Sequence, residues 1–277
     1  ETLGATQVIF TDKTGTLTEN QMTMRRVSTP GGDFEVDEKQ RSVEGEGGTE
    51  NPLLRRILEV GVLCNNAALQ DRNHDREPDD EQGDPTETAL LRAGFFLGLD
   101  RKELLQEAPE EREVPFDAQT MMMATYHRFP KGLSVAVKGA PVRVIQACTT
   151  VAAGDDGMDS EMNDRERIDW EERAREMAGQ GLRVLAMADK AVSSVQEEPY
   201  SDLRFLGLVG LFDPPRDDVL QAIQDCRSAG IRVVMVTGDQ PETAAAIALQ
   251  TGIVQDESPS VVHGSELQDP DDMSIQE

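Results

Sequence analysis

The chain has 277 residues, room for one large domain or two ordinary ones, and 38% of them are apolar. No stretch approaches the roughly 18 consecutive apolar residues of a membrane span. Cys64, Cys148 and Cys226 are scattered and form no CxxC pair, which argues against a disulfide framework and a structural zinc site and fits a reducing compartment.

A net charge of −26, with six lysines against 21 arginines, argues against nucleic acid or an anionic membrane as a partner of the bulk surface. Such acidity fits a salt-loving source, whose carboxylates keep a surface hydrated, or an ordinary acidic cytosolic domain. Glu1-Thr2-Leu3-Gly4 opens without a secretory signal and Ser274-Ile275-Gln276-Glu277 ends without a closing element, so the chain reads as an excised piece.

In chain order, Gln7-Val8-Ile9-Phe10 is a short apolar run fit for a buried parallel strand. It meets the polar turn Thr11–Thr16. The segment from Thr29 to Gly48 is rich in Gly and Glu and reads as a loose hairpin or loop. Helical spacing runs from Pro52 to Leu69 through Leu53, Leu54, Ile57, Leu58, Val60 and Leu63, and Asp71 to Gln82 reads as solvated. Pro85 to Leu97 is a helix capped by Asp84 with Pro85 in its first turn.

Arg112 to Val137 reads as antiparallel strands turning at Pro130-Lys131-Gly132. Gly154 to Asp164 is an acidic loop, Arg165 to Gly179 a helix with the single Trp170, and Leu182–Ala188 and Leu203–Phe212 are strands. A helix from Asp217-Asp218 stops at Gly230. An apolar strand, Ile231–Val236, then turns through Thr237-Gly238-Asp239 into a helix from Pro241 to about Thr251. This alternation is that of a doubly wound parallel α/β sheet. The expected architecture is therefore an α/β parallel sheet in two parts, residues 1–26 and 207–277, interrupted by an α+β domain with an antiparallel sheet over residues 27–206. An insertion at the carboxyl edge of such a sheet lies beside its ligand crevice.

Asp12 stands just past the first strand, with Lys13 and Gly15 beside it, and a carboxylate so placed can attack phosphorus to form an acyl phosphate. A lone Asp at a strand end is ordinarily a turn former. The full string Asp12-Lys13-Thr14-Gly15-Thr16-Leu17-Thr18 is far more specific. It resembles the phosphorylation signature of P-type ATPases, a branch of the haloacid-dehalogenase superfamily. Glu19-Asn20-Gln21-Met22-Thr23 is similar to the branch of calcium, sodium/potassium and related cation pumps.

Other segments carry the resemblance further. Thr237-Gly238-Asp239 resembles the family's second phosphate-binding motif, with Gln240 in place of the usual His. Asp213-Pro214-Pro215-Arg216 resembles the joint where the inserted domain rejoins the sheet, implying Asp213 and Arg216 near nucleotide phosphates and ribose. Within the insertion, Lys138-Gly139-Ala140-Pro141 resembles a nucleotide-binding motif. Gly83–Leu90 resembles the motif whose glutamate, here Glu87, bonds adenine, and Pro115-Phe116-Asp117 the motif whose Phe stacks on adenine. Gly181–Ala186 resembles the segment whose Arg183 reaches the phosphates. Ala118-Gln119-Thr120-Met121 lacks the basic residues common there, and Met121–Met123 reads as strand packing.

The resemblance implies Mg2+ and ATP as cofactors, with Asp12 as nucleophile and Asp12 with the Thr14 carbonyl on the metal. Lys13, Thr237 and Gly238 would stabilise the phosphoryl oxygens, and Asp239 would fix their loop. It implies membrane helices and an actuator domain as partners, a position on the cytoplasmic face, and a monomeric fragment. No Gly-Asp-Gly-x-Asn-Asp or Thr-Gly-Glu string is present, so the isolated chain is expected to turn over little ATP. Two rivals stand beside this reading: a nucleotide-binding module without turnover, and a phosphatase of the same superfamily. The phosphatase is disfavoured because Thr14 stands where such enzymes carry an acid/base Asp.

Overall fold

The computed structural model describes residues 6–38, 40–70, 80–153, 157–238, 241–255 and 261–262. They fall into two units: Glu1–Asn20 with Ala178–Gly181 and Pro214–Glu277, and Gln21–Met177 with Leu182–Asp213.

In the smaller unit, β1 (Val8–Asp12) pairs in parallel with β14 (Arg232–Val236), from Val8 opposite Arg232 to Asp12 opposite Val236. Helix α6 (Val219–Ser228) precedes β14 and α7 (Pro241–Gln250) follows it. Gly230, at φ 74°, ends the turn after α6 in the left-handed region, where glycine carries no Cβ penalty. Leu17, Val219 and Ile223 pack with Val233, Met235 and Ile253. The buried face of α6 consists of Val219 and Ile223, while Cys226 is half-buried and Leu220 exposed. The described residues supply two parallel strands, fewer than the doubly wound sheet expected.

The larger unit is built on a mostly antiparallel sheet. It runs β4 (Ser42–Glu44), β3 (Gly32–Asp37), β2 (Thr23–Thr29), β13 (Leu203–Phe212), β12 (Arg183–Val192), β9 (Gly132–Gly139), β8 (Met122–Phe129), β7 (Glu110–Asp117). β10 (Cys148–Val151) runs parallel to the first half of β13 and carries β11 (Ser160–Glu161) antiparallel. β5 (Ala68–Gln70) and β6 (Asp80–Gln82) form a separate pair.

Helices cover both faces. On one, Leu54, Ile57, Leu58 and Leu63 of α1 (Pro52–Leu63) and Leu90 of α2 (Pro85–Phe96) pack with Met24, Met123, Met187 and Val209. On the other, Val144 and Ile145 of α4 (Pro141–Ala147) and Met177 of α5 (Asp164–Gly179) pack with Tyr126, Val137, Phe205 and Leu208. Four of these helices begin where the sequence supplies a capping side chain, whereas α4 follows Ala140 and opens on Pro141. The Asn51 carboxamide accepts from the Leu53 and Leu54 amides, Asp84 accepts from Thr86, and Asn163 and Glu166 close a reciprocal capping box. Asp100 starts α3 (Arg101–Glu107) in the same way.

Several expectations change. Helix α1 stops at Leu63 rather than Leu69; of the two readings of Thr29–Gly48, the hairpin is the one found, in the antiparallel strands β3 and β4. Within the segment read as solvated, Asp80–Gln82 forms strand β6 with Gln82 exposed, and residues 71–79 lie outside the described residues. Ser160–Glu161 of the acidic loop pairs with β10, whereas residues 154–156 lie outside them.

Candidate nucleotide and phosphoryl-transfer residues

Strand β1 ends on Asp12, whose side chain is exposed. The chain then turns through Lys13–Leu17, where Thr14 (φ −76°, ψ 124°) and Gly15 (φ 77°, ψ −6°) leave helical geometry. Only glycine holds that left-handed conformation without cost. Thr18 closes the loop: its amide donates to the Lys13 carbonyl at 3.1 Å, and its hydroxyl accepts from the Gly15 amide at 3.3 Å. Lys13 is buried, while Thr14, Gly15 and Thr16 face solvent. Because Asp12 pairs with Val236, the register puts Thr237 and Gly238 at the same end of the two-stranded sheet. Thr237 is half-buried and Gly238 exposed; Asp239 and Gln240 lie outside the described residues.

The strap Pro214–Arg216 lies along this loop. Glu19 donates to the Pro214 carbonyl at 3.0 Å, Thr18 bridges Pro215, and the Arg216 amide donates to the Leu17 carbonyl at 3.0 Å. The Arg216 guanidinium then donates to the carbonyls of Thr18 and Gly15, each at 3.3 Å.

In the larger unit, Glu87 sits in the first turn of α2 and Lys138 near the end of β9, and they form an ion pair at 2.5 Å. Lys138 is 7% exposed. The second Glu87 oxygen accepts from the Asn66 amide at 3.3 Å, and the Asn66 carboxamide donates to Glu113 at 2.8 Å. Lys138 pairs across strands with Met123 on one side and Met187 on the other, which puts the three on one face of the sheet. Arg183, four residues before Met187 on β12, alternates onto that face and is exposed.

Phe116, 63% exposed, lies on β7 in the irregular stretch between Val114 and Asp117, one strand beyond Met123. The next turn is held firmly. The Asp117 carboxylate accepts from the Thr120 and Gln119 amides, which lowers its pKa, and the Met121 amide donates to the Asp117 carbonyl at 2.7 Å. Met121 takes a left-handed φ of 56°, and its carbonyl accepts from Ala140. A Cβ on Gly139 would stand 2.5 Å from that carbonyl oxygen, so only glycine lets the two backbones approach so closely. Asp213, also in this unit, is buried and accepts from the Gln21 amide at 3.3 Å.

The chain matches the family model of the P-type ATPase cytoplasmic domain N over residues 53–218. The chain belongs to the P-type ATPases. Cation-transporting ATPase pma1 of Synechocystis is 37% identical over 96% of the chain, Calcium-transporting ATPase 1 of Bacillus cereus 35% over 99%, and human Calcium-transporting ATPase type 2C member 1 35% over 100%. The chain spans 31%, 29% and 29% of those relatives.

Within this P-type ATPase chain, Glu87, Lys138 and Gly139 adjoin one another, with Phe116 and Arg183 on the same sheet. Asp12, Lys13, Thr14, Thr237 and Gly238 gather at one end of the smaller sheet. Asn66 belongs with the first group through its bonds to Glu87 and Glu113, and no motif string points to it. Its one signal was the polar pair Asn65-Asn66 closing an apolar helix. Among the described residues no three His, Cys, Asp or Glu side chains converge on a metal position, and no helix is long and apolar enough to cross a membrane.

Proposed function

We propose that this chain is the ATP-binding and phosphate-accepting part of an ATP-driven cation pump of the calcium-pump type. The reading is carried by one observation. In a P-type ATPase chain, an exposed carboxylate, Asp12, closes a parallel strand and opens the tightly bonded loop to Thr18. On this reading the two parallel strands are the centre of a doubly wound sheet of haloacid-dehalogenase type.

An Asp12 carboxylate oxygen forms a bond to the γ-phosphorus as the bond to the β,γ-bridging oxygen breaks, and its electron pair leaves on ADP. Lys13, Thr237 and Gly238 stabilise the negative charge spreading over the phosphoryl oxygens, and Asp239 fixes their loop. Thr14, two residues past the nucleophile, has no carboxyl to act as acid or base, so the acyl phosphate persists. The Asp12 carboxylate and the Thr14 carbonyl are hard oxygen donors on an exposed loop, a donor set that suits Mg2+. Bound there, Mg2+ would neutralise charge on the phosphates.

In the larger unit, Phe116 offers a stacking face for adenine, Glu87 an acceptor for its exocyclic amine, and Lys138 and Gly139 a charged, closely approachable strand. Arg183 meets the phosphates, and Asp213 belongs to the joint beside the nucleotide. Membrane helices and an actuator domain would complete the pump at the cytoplasmic face.

Titration calorimetry with Mg-ATP tests the assignment. Stacking contributes about 1–3 kcal/mol, so Phe116→Ala should weaken binding roughly tenfold or more, while Asp12→Asn leaves it intact. Loss of binding in Asp12→Asn with tolerance of Phe116→Ala would overturn the assignment of adenine to the larger unit.

A further inference from the structure

Resemblance put Arg216 near the nucleotide. Its contacts in the smaller unit describe a different task. The backbone of Pro214–Arg216 runs antiparallel to Leu17–Glu19, held by Glu19 on Pro214, the Thr18–Pro215 bridge and Arg216 on Leu17. From that fixed base the guanidinium reaches back and divides its donors between two carbonyls of the phosphate-accepting loop. Nε takes Thr18, the residue whose amide and hydroxyl close the loop, and a terminal nitrogen takes Gly15, the residue at left-handed φ where the loop reverses.

Both acceptors are loop carbonyls, groups that point negative charge at whatever approaches. An arginine on them cancels that charge and holds the carbonyls in place. A planar fork suits two separate acceptors, whereas an ammonium is a single point charge. The two prolines before Arg216 restrict the strap, so the side chain starts from a set position. The exposed Asp12 and Thr16 flank the braced turn.

We infer that Arg216 is a positioning residue for phosphoryl transfer, clamping the Gly15 and Thr18 carbonyls so that the loop after Asp12 receives the phosphoryl group, and that it is not a ligand of the nucleotide. This rests on Asp12 being the acceptor, as proposed above. Arg216 acts through the loop, so its loss should be felt by any phosphoryl donor.

The experiment is acid-quenched labelling of Asp12 in the membrane protein that carries this chain, with labelled ATP and, separately, labelled acetyl phosphate, which has no base or ribose. ATP affinity is measured alongside. Misplacing reacting groups by an ångström costs on the order of tenfold to a hundredfold in rate. Arg216→Ala should slow labelling from both donors by the same factor, about tenfold or more, with the ATP Kd within about twofold of wild type. Arg216→Lys keeps the charge but not the fork and should fall between the two. It also serves should the alanine variant fail to fold.

Slower labelling from ATP alone, with a weaker ATP Kd and normal labelling from acetyl phosphate, would make Arg216 a nucleotide ligand and overturn the inference. So would unchanged rates in Arg216→Ala, or full activity in Arg216→Lys. Failure of the underlying reading looks different: wild type would then carry no label that Asp12→Asn removes, whatever stands at position 216.

Discussion

Gly207 shows how one residue can set the phase of a strand. Before it, Leu203 and Phe205 of β13 face the α4–α5 core; after it, Leu208 faces that core and Val209 and Leu211 face α1 and α2. The alternation flips because the pairing with β12 skips a residue here, Met187 opposite Gly207 and Ala188 opposite Phe205, which makes a β-bulge. Gly207 takes φ 145°, and a Cβ on it would overlap the Ser28 carbonyl oxygen and come within 3.1 Å of Ile57 Cδ1. Gly207→Ala should therefore destabilise the larger unit by on the order of 3 kcal/mol. Trp170, whose ring lies 4.8 Å from that of Phe205, reports the unfolding by fluorescence in urea. A loss below about 0.5 kcal/mol, the range of an ordinary surface change, would contradict the bulge's role. The sequence reading of Leu203–Phe212 is simply a strand, with no change of phase at Gly207. Cys64 and Cys148 are both buried, and burial pushes their thiols up to about 11 and about 12.

Among elements, the segments the sequence announced best were those with local signals. Asp84-Pro85 opens α2, and Pro130-Lys131 turns β8 into β9. What it could not announce were partners far along the chain. Asp189 of β12 is buried and holds both Arg56 of α1, at 2.7 Å, and Arg204 of β13, at 2.8 and 2.9 Å. Arg92 of α2 gathers Glu38, Glu81 and the Met22 carbonyl from three other segments. The Glu87–Lys138 pair likewise joins residues 51 apart. Helices α3 and α4 were missed because each spans seven residues, too short for a periodic pattern; in α4, Pro141 is also the first helical residue.

His127 of β8 gives this layer a pH signature. Its Nδ1 faces the Ala108 carbonyl at 3.1 Å and its Nε2 the Thr125 hydroxyl at 2.8 Å. Burial, helped by Arg101 and Arg56, lowers its pKa to about 4. Below an unfolded value of about 6.5, the unfolded chain therefore binds a proton that the native one refuses until about 4. The stabilisation is complete above 6.5 and is lost as pH falls from 6.5 towards 4. Between pH 7 and about 4.5 it amounts to roughly 2–3 kcal/mol. His127→Gln, which does not titrate, should lose that much less stability over the same interval. Superimposable pH profiles for the two proteins would contradict this account.

At the scale of the whole molecule, the charge of −26 and the layered packing pull in different directions. The pairs within the larger unit, such as Arg56–Asp189, are sheltered from screening, whereas repulsion among surface carboxylates is not. At 1 M salt the Debye length falls to about 3 Å. If the acidity is a salt adaptation, Tm should climb steeply from dilute buffer to molar salt; a flat profile would leave an ordinary acidic domain. The antiparallel sheet was legible because hairpin turns and alternating strands leave local traces. The extent of its sheet was less so. The sequence divides the chain at residues 26/27 and 206/207, while the units part at Asn20/Gln21 and Asp213/Pro214, with Ala178–Gly181 in the smaller one. The strands at those divisions, β2 and β13, pair with each other at a separation no local pattern records. Motif strings name the candidate residues one by one, but no local string announces their bonding, Glu87 to Lys138 or Arg216 to the loop carbonyls. On the function proposed above, Asp12 accepts the γ-phosphate. The experiment is peptide mapping after acid quench of the proposed full-length pump incubated with γ-labelled ATP. The account predicts hydroxylamine-labile label on Asp12, absent from Asp12→Asn; label on another residue, or label that persists in Asp12→Asn, would contradict it.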